Sequence, residues 1–318
     1  MSHNISNISE GTGSGKIIIT SKDQVRQRRY LLLGKTIGIS ISESDDLKEL
    51  GLGRVHLLDA MIETARYILA LGGKLAYGGD IRRDGFTELL FDLLAYYKAD
   101  SSLSINERLA SFLAWPISLQ LTEEIEANLI QNVSFTRVPP PADVEIEIPS
   151  EFLQPDSAKN LYVWARCLTA MREKMEAVCD ARIFIGGRSK GFAGKLPGVM
   201  QELLIAVEQK HPVYLIGAFG GVTKNIIDAL DGNSSDAFST DYYFQNARYQ
   251  EFFTMYNQTL PGQAIRYEDY FSTIKSLGFS GLSNLNGLSE EDNRRLATTP
   301  HVQEMIYLIL KGLTNKFR

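Results

Sequence analysis

The sequence predicts a doubly wound α/β fold, three layers deep, with a mainly parallel sheet and an appended helical region at its C-terminus. Three observations carry that expectation. Short β-branched apolar runs alternate with segments of helical periodicity between residues 36 and 230. Several of those runs end in paired glycines. Beyond residue 231 the strand signals stop and an aromatic-rich helical pattern takes over.

The elements follow in chain order. Thr36–Ser42 alternates and is β-branched, so it reads as the first strand. The Ser-rich stretch Ser40–Asp46 and Gly51–Gly53 lead into a helix over Val55–Leu71. Its residues Leu58, Met61, Ile62, Ala65, Ile68 and Leu69 recur at helical spacing. Gly72 and Gly73 end that helix, and Lys74–Tyr77 is a second strand running into Gly78-Gly79-Asp80. Phe86–Tyr97 is helical, capped near Asp84, and Ser111–Pro116 is a third strand. Residues 117–150 hold Pro139-Pro140-Pro141 and the acidic alternation Asp143–Ile148, which predict a surface excursion with an edge strand. A long helix over Ala158–Val178 follows, then strand Asp180–Ile185, helix Gly198–Gln209, strand Pro212–Ile216 and helix Thr223–Leu230. After a polar break at 231–240 come helical segments rich in Tyr and Phe, a helix start with Ser289 as N-cap, and a final helix over His301–Leu313.

Composition narrows the function classes. The chain has 318 residues, 44% of them hydrophobic and 22% charged, as in an ordinary globular protein with a sizeable core. The net charge of −5 argues against a nucleic-acid partner, which needs a basic face. Met1–Ser14 is polar and no apolar run has membrane-spanning length, so neither a signal peptide nor a membrane association is expected, and the location expected is cytoplasmic. Gly11–Lys16 imitates a phosphate-binding P-loop but has the wrong spacing, no Ser/Thr after Lys16, and a β-like run where a helix is required. Cys167 and Cys179 lie twelve residues apart in one predicted helix, about 18 Å in Cα separation, too far for a mutual disulfide. With four scattered histidines, no metal-ligand spacing exists, and no metal or required cofactor is expected.

The chemistry concentrates at three glycine-rich strand-to-helix junctions: Gly78-Gly79, Gly186-Gly187 and Gly217–Gly221. Ligands of open parallel sheets sit outside the carboxyl ends of the strands, where glycine lets backbone approach closely and helix N-termini favour phosphate. Gly186, Gly187, Gly198, Val199, Gly217, Gly220 and Gly221 are therefore candidate ligand contacts, as are Gly78 and Gly79. Asp80 and Arg82 follow the second junction and could reach the same crevice; Ser40 and Ser42 close the first strand. Arg172 and Arg188 are candidate phosphate partners through bidentate guanidinium contacts, or else solvated surface charges. Glu202 is placed in the first turn of its helix, where the dipole favours a carboxylate. It is either a helix-terminal charge or a ligand-facing group. In the second case it could hold a ribose hydroxyl or stabilise an oxocarbenium-like centre. The C-terminal aromatics Tyr242, Tyr243, Phe244, Tyr249, Phe252, Phe253 and Tyr256 are packing residues, an oligomer contact or a purine-stacking wall.

These residues carry a resemblance. Gly186-Gly187 followed by Gly198-Val199-x-x-Glu202, Arg172-Glu-Lys-Met175 in the preceding helix, Ile37–Ser42, Ala76–Asp80 and Pro212–Gly221 together resemble the SLOG superfamily over roughly residues 35–230. This is the Rossmann-like group that includes LOG phosphoribohydrolases and DprA proteins, and the similarity is greatest to SLOG domains of bacterial conflict systems. The resemblance implies a nucleotide-binding domain over 35–230, between a flexible leader at 1–34 and a helical extension at 231–318. It implies recognition or generation of nucleotide or NAD-derived signals in anti-phage defence, and, through the LOG motif, catalytic roles for Glu202 and Arg172. Two departures weigh against LOG-type hydrolysis: Val199 replaces a threonine, and Arg188–Pro197 lengthens the loop, as would suit either a larger ligand, such as a dinucleotide or cyclic ADP-ribose isomer, or a mere lid. Three readings follow: a binding protein for a nucleotide or ADP-ribose-derived ligand, acting as a homo-oligomer or through a defence effector; an N-glycoside hydrolase using Glu202; and a structural subunit of a defence complex. A dehydrogenase is disfavoured, because Gly38 and Gly78-Gly79 form no Gly-x-Gly-x-x-Gly fingerprint.

Overall fold

A computed structural model describes residues 30–79, 85–96, 108–129, 133–244 and 246–318. The leader with its P-loop-like Gly11–Lys16, the cap at Asp84, and the candidates Asp80 and Arg82 lie outside the described residues.

Six parallel strands form one sheet: β1 (Thr36–Ser42), β2 (Lys74–Gly78), β3 (Leu109–Ala114), β4 (Val133–Val138), β5 (Ala181–Gly186) and β6 (Val213–Ile216), in the order β4-β3-β2-β1-β5-β6. The chain builds outward from β1 to β4, crosses back, and adds β5 and β6 on the other side. Helices cover both faces, so the sheet is doubly wound and Rossmann-like. The direction reverses between β1 and β5, and ligands of open parallel sheets bind at such a reversal, beyond the carboxyl ends of the strands. The pairs Gly38↔Arg182, Ser40↔Phe184 and Ser42↔Gly186 set the register at that point.

Strand alternation assigns the two faces. Ile37, Ile39 and Ile41 of β1 and Ala181, Ile183 and Ile185 of β5 enter one apolar core, which α1 (Arg54–Ala70) and α2 (Phe86–Tyr96) share. Each isoleucine so buried contributes about 1.5–3 kcal/mol. Gly38, Ser40 and Ser42 point to the opposite face, covered by α4 (Ala158–Glu176) and α5 (Gly198–Glu208). Helix α4 starts on a Ser157 side-chain cap and buries Cys167; it ends at Glu176, so Cys179 lies beyond it and not, as expected, in the same helix. Burial pushes the Cys167 thiol up to about 12 and the Cys179 thiol to about 11.

One expectation is corrected. The acidic stretch Asp143–Ile148 is turn and bend rather than strand; the edge strand is β4, preceded by α3 (Glu123–Leu129). Three consecutive prolines remove the amide donors a ladder needs, so pairing stops at Val138. The acidic excursion is instead fastened by side chains: Val144 is buried, and Trp115 Nε1 donates to the Pro149 carbonyl at 2.9 Å.

Beyond α6 (Gly221–Leu230) come α7 (Thr240–Tyr243), α8 (Ala247–Thr259), α9 (Tyr267–Asn286), α10 (Glu290–Thr298) and α11 (Val302–Phe317). Their placement answers a physical need, since β6 is a sheet edge. Asn286 Nδ2 donates to the Val213 carbonyl at 2.8 Å, Tyr214 Oη donates to the Asn286 carbonyl at 3.0 Å, and α10 lies against β6. Among the described residues no helix is long and apolar enough to cross a membrane.

Candidate functional site

Two arrangements meet at the β1/β5 reversal. The first is a buried charge cluster. Arg182 sits on strand β5, on the face covered by α4 and α5, and is 0% exposed. Its side chain lies across Gly38 of β1, where a Cβ would come within 2.4 Å of Arg182 Cδ. Arg182 Nη2 donates to Ser40 Oγ at 2.5 Å and to Glu202 Oε2, and Nη1 pairs with Glu176 Oε2 at 3.2 Å. Ser40 Oγ donates to Glu202 Oε2 at 2.5 Å. Glu202 Oε1 accepts from Arg172 Nε at 3.4 Å, and Arg172 Nη1 donates to Gln201 Oε1 at 2.5 Å. Gln201 Nε2 donates in turn to Thr169 Oγ1 at 2.8 Å, and Glu176 Oε1 also meets His211 Nδ1 at 2.6 Å.

The two arginines differ in their balance of forces. Burial lowers the pKa of Arg172 further than its attraction to Glu202 restores it. Burial also pulls on Arg182, but Glu202, Cys179 and Glu176 together outweigh it, and its pKa is raised. The attractions on Arg182 thus outweigh its desolvation, whereas that on Arg172 does not. The Arg172 Nη2 lies at Gly198, where a Cβ would come within 2.9 Å. Gly198 is the first residue of α5, so this guanidinium nitrogen stands at a helix N-terminus. An anion there would meet both attractions.

Glu202 is the fifth residue of α5 and lies in the second turn, not the first, because the helix begins at Gly198. The dipole argument for it fails; Arg182, Arg172 and Ser40 hold it instead. Both carboxylate oxygens are engaged, and the residue is 7% exposed.

The second arrangement is a backbone cradle. Gly187 N–H donates to the Ser42 carbonyl and Arg188 N–H to Ser42 Oγ, each at 2.9 Å, while Val222 N–H donates to the Gly187 carbonyl at 3.0 Å. Gly187 adopts φ 114°, and a Cβ there would run into Val222 and Val199. Gly221, at φ 64°, has its α-carbon against the Gly187 carbonyl, 2.3 Å from where a Cβ would stand. Only glycine fits this double approach. Ser44 Oγ lies between Gly186 and Gly221, and Thr223 Oγ1 lies in the first turn of α6; both are buried without a hydrogen-bond partner among the described residues. Unsatisfied hydroxyls of that kind are uncommon in folded proteins and fit a ligand-bearing cradle.

The N-terminus of α6 already carries an anion. The Asp46 carboxylate accepts from Gly221 N–H at 3.0 and 3.2 Å, and Gly220 leaves room for it. Neighbouring Asp45 accepts from Ser189 Oγ at 2.8 Å.

The structure thus brings together Ser40, Arg172, Gly198 and Glu202 in one group, and Ser42, Gly186, Gly187, Val199, Gly220 and Gly221 in the other. The Arg188 backbone joins the cradle while its side chain is exposed. Gly78 is packed under Met171 and Met175, Gly79 lies against Tyr77, and Gly217 lies against the Ala297 carbonyl. None of these three opens on the crevice cradle. Arg182, Gln201, Ser44, Asp45 and Asp46 belong to the site but carry no motif. The one signal in the sequence is Arg182 itself, a charge inside Ala-Arg-Ile-Phe-Ile-Gly, which otherwise reads as a buried strand.

Fold and crevice together define a Rossmann-like α/β protein with its site at the sheet's reversal point. The chain belongs to the family described as SLOG cluster2, whose model matches residues 31–296. That family points to a nucleotide-related function. The match runs past residue 230 through α9 and into α10, so most of the C-terminal helical region lies within it. No curated protein matches the chain.

Proposed function

We propose that this protein binds a nucleotide or an NAD- or ADP-ribose-derived ligand in the crevice between β1 and β5, holding it without cleaving it. One observation carries the reading: Glu202 spends both carboxylate oxygens on Ser40, Arg182 and Arg172 and is nearly buried. A carboxylate in that state is a positioning residue. It fixes Arg172 by its Nε and leaves Nη2 at the start of α5 for a phosphate oxygen. A glycosidase carboxylate has to reach the sugar carbon, and this one faces two guanidinium groups. The cradle of Gly186, Gly187 and Gly221 gives the ligand close access to backbone, and Ser44 and Thr223 supply hydroxyls. Membership of the SLOG family supports a nucleotide-type ligand and a place in signalling or defence, with a homo-oligomer or an effector protein as the partner that reads the bound state.

The test is incubation with NAD, ADP-ribose isomers and nucleoside monophosphates, followed by thermal shift and mass spectrometry together. A stabilising shift with no product supports the reading. Turnover that disappears in Glu202→Gln contradicts it and makes the protein an N-glycoside hydrolase.

A further inference from the structure

We propose that the loop Arg188–Pro197 and the first C-terminal helices build a second half-site, which takes the second nucleotide unit of a dinucleotide-type ligand. The inference rests on the crevice reading above and extends it to ligand size.

A cavity of about 300 Å³ lies between that loop and the helices α7 and α8. That is the lower end of the range for small-molecule sites. Phe192, Tyr242, Tyr243 and Tyr249 line it, with Lys190 and Arg248. No Asp or Glu lines it among the described residues. Four aromatic rings and two cations, with no opposing carboxylate, suit a planar base joined to phosphate.

The walls are fixed. Phe192 stands edge-on to Tyr243 and Tyr249 at 5.5 and 5.6 Å between ring centroids, and Tyr243 stacks on Tyr267 at 4.5 Å. The Tyr249 and Tyr267 hydroxyls are 2.6 Å apart. The cations are free to respond: Lys190 and Arg248 are exposed, and Lys190 Nζ sits 4.7 Å from the centre of the Tyr242 ring.

The cavity is also joined to the crevice. Lys190 lies three residues beyond Gly187, a reach of at most about 11 Å. Ser189 lies between them, buried, with its hydroxyl on Asp45 of the crevice at 2.8 Å and 3.0 Å from Tyr242 Oη of the cavity. One ligand can therefore hold a phosphate at the start of α5 beside Arg172 and a base among the tyrosines. The lengthened loop, which disturbs the hydrolase-like motif spacing, is what supplies Lys190 and Phe192.

Calorimetric titration with AMP and with NAD tests this. The proteins compared are the wild type, a Lys190→Ala/Arg248→Ala double variant at exposed positions, and Tyr242→Ala. NAD is expected to bind the wild type more tightly than AMP and to lose roughly tenfold in affinity in both variants, while AMP is unchanged. If AMP binds but NAD binds no more tightly, or neither variant weakens NAD, the second half-site is overturned and the crevice stands. If neither compound binds the wild type, the crevice reading falls and this inference falls with it.

Discussion

The Arg182 side chain crosses Gly38 on the neighbouring strand so closely that a single methyl group at residue 38 would stand 2.4 Å from Arg182 Cδ. Everything buried at the reversal point depends on that crossing, because it delivers the guanidinium to Ser40, Glu202 and Glu176. Gly38→Ala is therefore expected to destabilise the protein by about 1–3 kcal/mol through overpacking. Gly38 does not have a positive φ, and once Arg182→Ala is present only the Cys179 Sγ contact at 3.0 Å remains, so the same substitution should then cost less. Urea unfolding of the two single variants and the double variant checks the difference.

The charge cluster holds two arginines against two glutamates. Removing one member leaves an uncompensated buried charge, which costs about 3–5 kcal/mol. Glu202→Gln and Arg182→Met should each show a loss of that order. Made together, they should cost less than the sum, with a coupling of about 0.5–3 kcal/mol. Strict additivity in denaturant melts would mean that the two groups do not interact as the geometry requires.

Asp46 caps α6 from a different part of the chain, with both oxygens on Gly221 N–H. Asp46→Ala should cost about 1 kcal/mol, combining the lost cap with the lost charge at a helix N-terminus. Asp46→Asn keeps an acceptor and should cost less. Equal stability of Asp46→Ala and wild type in chemical denaturation would dismiss the cap.

Burial raises the Cys179 thiol to about 11 and Cys167 to about 12, above the unfolded value of about 8.5. The neutral thiols are favoured in the fold, so their contribution is complete below pH of about 8.5 and declines as pH rises towards the folded values. In that window each thiol should lower stability by up to about 1.4 kcal/mol per pH unit. Cys179→Ala should flatten the slope between pH 9 and 10 (roughly one unit inside that window). Iodoacetamide at pH 8 should label neither thiol in the native protein and both in denaturant; rapid native labelling would contradict the burial.

Much of the fold is legible in the sequence because its signals are local. β1 occupies the predicted Thr36–Ser42, and the helices around α4, α5 and α6 fall within a few residues of their periodic patterns. Ser289 caps α10 as expected, accepting from Asp292 N–H at 3.0 Å. The misplaced edge strand shows where local signals end. Asp143–Ile148 alternates like a strand, but the prolines before it have already closed the ladder, and Val133–Val138 takes the edge. The site was half legible. Gly186, Gly187 and Gly221 announce themselves because a tight backbone approach admits one residue type. Asp46 does not, because its partner Gly221 lies 175 residues away, and the charge of Arg182 shows in a buried strand without showing that Glu202, 20 residues on, receives it.

Amide hydrogen exchange with and without ADP-ribose locates the ligand on the backbone. Slower exchange is expected at Gly186–Arg188 and Gly198–Met200, with protection lost in Arg172→Lys and no ADP-ribose consumed. Protection confined to other segments, such as the acidic excursion at Asp143–Ile148, or protection unchanged by Arg172→Lys, would contradict this placement of the ligand.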